Sequence, residues 1–179
     1  MKDNIWFTYK ARIKAHERLE WMDFHSQLLL VWYSILVAVL ATLTIRHPNL
    51  LGNDTDILSA ILSIGLLAIS LCVANRDFRG RAMLMRSNYQ NLHKLHRIVK
   101  EDKLSPEELE SYSNLLKDCE NHRTIDDILA RMFSTNLTSR VPTRREHLVG
   151  CVLLIRRYLL TTGLYVTPLL VALYFARKS

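Results

Sequence analysis

The chain alternates between stretches that carry no charge and stretches dense in it. Leu28 to Ile45 (LLLVWYSILVAVLATLTI) and Ile57 to Ala74 (ILSAILSIGLLAISLCVA) each run eighteen residues without a charged side chain. As helices each is about 27 Å long, close to the thickness of a bilayer core, and the pattern predicts two membrane-spanning helices. Between them, Arg46 to Asp56 (RHPNLLGNDTD) holds Pro48, Gly52 and several turn formers. That is enough to reverse the chain and too little to fold alone, so the two spans form a helical hairpin. Pro48 is expected to end the first span, and Asp54 to cap the second.

Past the second run the apolar period continues while the surroundings become charged. Phe78, Ala82, Met85, Tyr89, Leu92, His96 and Val99 recur at spacings of 4, 3, 4, 3, 4 and 3, with Arg79, Arg81, Arg86, Lys94 and Arg97 between them. This is an amphipathic, coiled-coil-like stripe, read as a packing or oligomer contact. It traces back through Asn75, Leu71, Ala68, Ile64, Ile61 and Ile57 at the same 3-and-4 spacing, and no Pro lies between Ala74 and Val99. The expectation is one helix about 65 Å long joining the membrane to a soluble region.

Lys2 to Phe24 mixes charges with Trp6, Tyr9, Ile13, Leu19, Trp21 and Phe24. It reads as a helix lying on the membrane surface or against the rod from Ile57 to Val99. After Lys100 three helix starts follow in order. Ser105-Pro106-Glu107-Glu108 is a capping box with proline at the first helical position; Thr124 with Asp127, and Thr143 with Glu146, repeat the device. No strand pattern is present. Tyr158 to Ala176 is a third charge-free run of nineteen residues, weakened by Thr161, Thr162, Gly163, Thr167 and Pro168. It is either a third span or a re-entrant or surface-lying helix. A span must start after Arg156 and Arg157, since burying both costs roughly 5 to 7 kcal/mol. The fold class expected is an all-α membrane protein: a transmembrane hairpin, a long second helix extending into a cytosolic helical bundle, and a third C-terminal candidate span. The divisions are 1–24, 25–74, 75–147 and 148–179.

Composition changes this picture little. The mean hydropathy of +0.04 looks soluble only because it averages unlike parts. The net charge of +7 is unevenly placed: five Lys/Arg precede the first span, one lies in the link, and sixteen lie between Asn75 and Arg157. Positive-inside then puts the N-terminus and residues 75–157 in the cytoplasm, with the hairpin tip outside. Eleven acidic residues offset those sixteen basic ones, which marks a solvated surface and argues against direct nucleic-acid binding. Cys72, Cys119 and Cys151 are far apart, form no metal or disulfide pattern, and read as small buried residues of a reducing compartment.

Catalytic signatures are missing. The chain has no GxxxxGK, GxGxxG, GxSxG or HExxH. His93 and His96 lie three apart without an acidic or sulfur neighbour, so neither an enzyme nor a metal or cofactor is expected. What remains is the polar content of the hairpin. Ser59, Ser63 and Ser70 fall on one face of the second span, and Ser34, Ala38 and Ala41 give the first a small-residue stripe with Thr42 beside it. Such residues let membrane helices approach closely; repeated around an oligomer, they would line a narrow pore. Two helices cannot enclose a pore alone, so this reading needs a homo-oligomer.

The opening WFTYKARIKAHERLE, the hairpin start HSQLLLVWYS, and FRGRAMLMRSNYQNLHKL after the second span resemble the SLATT proteins, two-transmembrane effectors associated with nucleotide-signalling and SLOG sensor genes in bacterial defence. The likeness is greatest to the subfamily beside reverse-transcriptase genes. It covers roughly residues 4–135 and consists of hydrophobic, aromatic and basic positions, with no active site. It implies a pore-forming effector held inactive until a partner encoded nearby, a reverse transcriptase or a nucleotide-signalling enzyme, senses infection; the host cell then becomes dormant or dies. The alternative is a non-conducting membrane adaptor that recruits a cytosolic enzyme through residues 101–145.

Overall fold

The computed structural model describes residues 2–47, 54–99, 103–135 and 137–178, with side chains as far as Tyr174. Among the described residues six helices follow in order: α1 (Lys2–Arg46), α2 (Thr55–Ala74), α3 (Phe78–Ile98), α4 (Pro106–Lys117), α5 (Thr124–Met132) and α6 (Arg144–Lys178). No strand occurs among the described residues. They form two compact units, Met1–Met22 with Phe78–Arg156, and Asp23–Asp77 with Arg157–Ser179. The first is polar and the second apolar.

In the polar unit, the start of α1 packs antiparallel to α3. Its inward positions Ile5, Thr8, Arg12, Ala15 and Leu19 follow the same 3-and-4 spacing as the α3 stripe. Ile5 joins Leu92, Leu95 and Val99 in one apolar cluster, and Ala15 and Leu19 join Ala82 and Met85 in another. The α3 stripe is therefore packed within the chain: Ala82, Met85, Leu92 and Val99 are buried, and Phe78, Tyr89 and His96 are half-buried. Residues Lys2 to Phe24 lie in the same helix as the first apolar run, without a break.

In the apolar unit, the later part of α1 and α2 form the expected hairpin-like pair, joined by the end of α6. Among the described residues three helices are long and apolar enough to cross a membrane, one in each of these regions. α1 ends at Arg46; Pro48 and most of the link lie outside the described residues. Asp54 stands at the N-cap of α2, but its side chain makes no capping bond.

Three sequence expectations need correction. The helical path from the second span to Val99 is present but interrupted at Asn75–Asp77, where Asp77 adopts φ 43°, a left-handed conformation that breaks the ladder without Gly or Pro. Asp and Asn tolerate that region because their short side chains bond locally, which is why the sequence carries no stronger mark there. The second capping device is shifted by one residue. Thr124 is already helical, Arg123 is the N-cap, and the carboxylate of Asp126 accepts the Arg123 N–H at 2.8 Å. The cysteines are free but not buried: Cys72 and Cys151 are exposed and Cys119 is half-buried. The other two boxes form as read. Ser105 and Glu108 exchange bonds of 3.2 and 2.8 Å, and Thr143 and Glu146 do the same.

Candidate functional site

Two places concentrate polar groups: a layer inside the polar unit, and the hydroxyls of the apolar unit. The first begins at Arg12, which is completely buried between the two apolar clusters. Its guanidinium donates to Oδ1 of Asn88, to the Leu115 carbonyl at 2.9 Å and to the Leu116 carbonyl at 3.3 Å. Asn88 in turn donates to the Leu115 carbonyl at 2.7 Å. These carbonyls belong to the last turn of α4, which has no helical donors for them and carries the negative end of the helix dipole. Arg12 thus satisfies the end of α4 while fixing the register of α1 on α3. Burial pushes its pKa down from the ordinary arginine value.

Around this layer, Thr8 and Tyr112 share a hydrogen bond of 3.0 Å, and His16 Nδ1 meets the Ala82 carbonyl at 3.0 Å. Arg18 grips the buried Asp126 with two bonds of 2.9 and 3.1 Å, tying α1 to the start of α5. Arg131 spans from α5 to α6, donating to Asp127 at 3.0 Å and to both carboxylate oxygens of Glu146 at 2.5 and 3.2 Å. That clamp lowers the Glu146 carboxyl to about 2, first through the Arg131 bond and then through the Thr143 N–H.

His93 stacks on Tyr9, with ring centroids 4.9 Å apart. His96 lies at a cleft of about 230 Å³ whose lining includes Lys2, Asp3, Trp6 and Thr138. Burial, then the Lys2 ammonium, hold His96 below the usual histidine range. Among the described residues, no three His, Cys, Asp or Glu gather as a metal site would require.

In the apolar unit four of the candidate hairpin hydroxyls bond backward along their own helices. Ser63 donates to the Ser59 carbonyl at 2.9 Å, Ser70 to Leu67 at 2.7 Å, Ser34 to Leu30 at 2.7 Å and Thr42 to Ala38 at 2.8 Å. This is how a hydroxyl is accommodated in lipid without a partner helix. Ser59 is buried, Ser70 is half-exposed, and Ser34, Thr42 and Ser63 are exposed. The structure therefore brings Ser59 and Ser63 together and leaves the others as separate points on α1 and α2.

Bonds between helices of this unit come from residues outside that set. Tyr33 donates to the Leu164 carbonyl at 2.9 Å, and His25 Nδ1 lies 3.2 Å from the Tyr165 hydroxyl. Both join α1 to α6. Sequence reasoning missed them, although tyrosine and histidine within or beside an apolar run were visible signals. It also missed Arg12, whose place on the 3-and-4 spacing from Ile5 to Leu19 was a signal of burial.

An all-helical chain with candidate spans, a buried polar register layer and hydroxyls satisfied for lipid is a membrane protein. It belongs to the SMODS and SLOG-associating 2TM effector domain family 5, which matches residues 1–175. The family description counts two spans, whereas among the described residues α1, α2 and α6 each carry a stretch of sufficient length and apolarity. Comparison with curated proteins and with solved structures gives no match.

Proposed function

We propose that this chain is a pore-forming effector of a bacterial antiviral system, assembling as several copies in the inner membrane and permeabilising it to cause abortive infection. The observation that carries this reading is membership of an effector family together with a substantial membrane unit. Ser59, Ser63 and Ser70 of α2, with Ser34 and Thr42 of α1, line the pore. The Lys/Arg distribution supports a cytoplasmic N-terminus and a cytoplasmic 75–157 region. The resting assembly is closed, because an open pore would kill the cell without any trigger. The trigger comes from a partner encoded nearby, a reverse transcriptase or a nucleotide-signalling enzyme, as the sequence resemblance implies.

The test is induction of the protein alone in bacteria while membrane potential is followed with a voltage-sensitive dye. High expression is expected to depolarise the cells, and Ser63→Phe to abolish the effect with membrane insertion unchanged. Depolarisation that Ser63→Phe leaves intact would remove Ser63 from the lining. Normal potential with the protein inserted, both alone and with its neighbouring gene, would favour the non-conducting adaptor.

A further inference from the structure

The start of α1, the end of α3 and the segment between α5 and α6 line the cleft of about 230 Å³ at His96, all within the polar unit. Its walls are tied together. Ser139 donates to Asp3 Oδ2 at 2.8 Å, and Arg140 donates to Asn4 Oδ1 at 2.8 Å with its guanidinium 4.9 Å from the centre of the Phe7 ring. Arg140 holds φ 50°, a left-handed conformation that strains a residue carrying a Cβ, and these contacts keep it there. The Trp6 ring is fixed as well, edge-on to Phe7 at 4.9 Å and with the Lys10 ammonium over it at 5.5 Å.

Charge is left over in this cleft. Lys2 and His96 both line it, and among the described residues neither enters an ion pair or a hydrogen bond. Other cations of the unit are spent: Arg12 on the end of α4, Arg18 on Asp126, and Arg131 on Asp127 and Glu146. Asp3 is the acid of the cleft, and one of its oxygens already accepts from Ser139. An ammonium and an imidazole brought to one cavity without a partner suit an anion. Lys2, Asp3 and a protonated His96 sum to a single positive charge, which a carboxylate neutralises and a phosphate dianion overfills. At interior packing density the cleft holds roughly ten non-hydrogen atoms, the size of a one-ring acid.

We propose that this cleft binds a small aromatic carboxylate, with its charge taken by Lys2 and His96 and its ring laid against Trp6. The site goes beyond the pore reading and does not depend on it. Before binding, burial, the Lys2 ammonium and His93 hold His96 below the usual histidine range, with Asp3 acting the other way. A bound carboxylate reverses that balance and draws a proton onto the imidazole. Binding therefore tightens as pH falls from 8 to 6.

The test is calorimetric titration of the full chain in lipid nanodiscs with benzoate, with empty nanodiscs as the blank. Saturable binding is expected with a dissociation constant on the order of 1 mM or tighter. Repeating it at pH 7 in buffers of different ionisation heat is expected to show proton uptake that His96→Gln loses. Lys2→Met and His96→Gln should each weaken benzoate roughly tenfold or more, with melting temperatures unchanged. Trp6→Leu should abolish the preference for benzoate over acetate. No saturable binding up to about 20 mM would overturn the site. So would binding that both charge variants leave intact, or that takes up no proton. Inorganic phosphate binding more tightly than benzoate would overturn the carboxylate assignment.

Discussion

The Tyr33 hydroxyl reaches the carbonyl of Leu164, and Leu164 stands four residues before Pro168 inside α6. In an ordinary helix that carbonyl accepts the N–H of residue 168, which proline lacks. α1 therefore supplies the donor that α6 has lost. In lipid no water is available to do so, and an unsatisfied carbonyl costs several kcal/mol. Tyr33→Phe is expected to lower resistance to denaturation in bicelles by about 1 kcal/mol, the usual range for interhelical bonds in membranes. In a Pro168→Ala background, where the helix regains its own donor, the same change should cost less than half as much. An equal cost in both backgrounds would break the link between Tyr33 and Pro168.

Arg12 answers to two carbonyls and an amide, so its loss strands more than a charge. Arg12→Met is expected to destabilise the polar unit by about 2–4 kcal/mol, because Asn88 Oδ1 and the Leu116 carbonyl lose their donor, while the Leu115 carbonyl keeps only Asn88. Arg12→Lys should recover little, since an ammonium lacks the planar fork that reaches Asn88, Leu115 and Leu116 together. Thermal unfolding followed by circular dichroism of the detergent-solubilised protein measures both.

The clamp between Arg131 and Glu146 fixes a pH dependence. The Glu146 carboxyl titrates at about 2 in the folded protein, against an ordinary 4.5. A depressed carboxyl contributes stability that is fully present above about pH 4.5 and is lost as pH falls toward 2. Glu146→Gln is therefore expected to be less stable than the parent at pH 7, with the difference shrinking between pH 4.5 and 2. A constant difference across that window would show that the clamp is not the cause.

Gly150 tests how tightly α5 sits on α6. A Cβ there would collide with Met132 Sδ, so Met132 must move, and a methionine side chain moves easily. Gly150→Ala is expected to change stability by less than about 1 kcal/mol, because alanine's helix preference offsets the shift. Gly150→Leu overpacks the contact and should cost about 1–3 kcal/mol. Chemical denaturation of the two variants beside the parent distinguishes the cases.

Much of the architecture was legible because membranes and helix starts write strong local signals. The two eighteen-residue runs set the hairpin, and Ser105 and Thr143 marked two helix starts to the residue. The break at Asp77 was not legible, since a left-handed aspartate leaves no trace in a hydrophobic period. The 78–99 stripe was visible, and packing against it was one of two readings for residues 2–24; periodicity alone could not choose between membrane surface and stripe, and in the fold the start of α1 covers the stripe. Arg18 and Asp126 are 108 residues apart, and Tyr33 and Leu164 are 131 apart, so only the folded chain could pair them. The sequence marked the hairpin hydroxyls as polar points; the structure adds where Ser34, Thr42, Ser63 and Ser70 send their protons.

That last detail has a chemical consequence. Ser34, Thr42, Ser63 and Ser70 each give their proton to a backbone carbonyl, so what they present outward is oxygen lone pairs. A wall assembled from them is electron-rich and offers no proton to a visitor. In a pore built this way, the lining would welcome a sodium or potassium ion shedding part of its water and give a chloride nothing to hold.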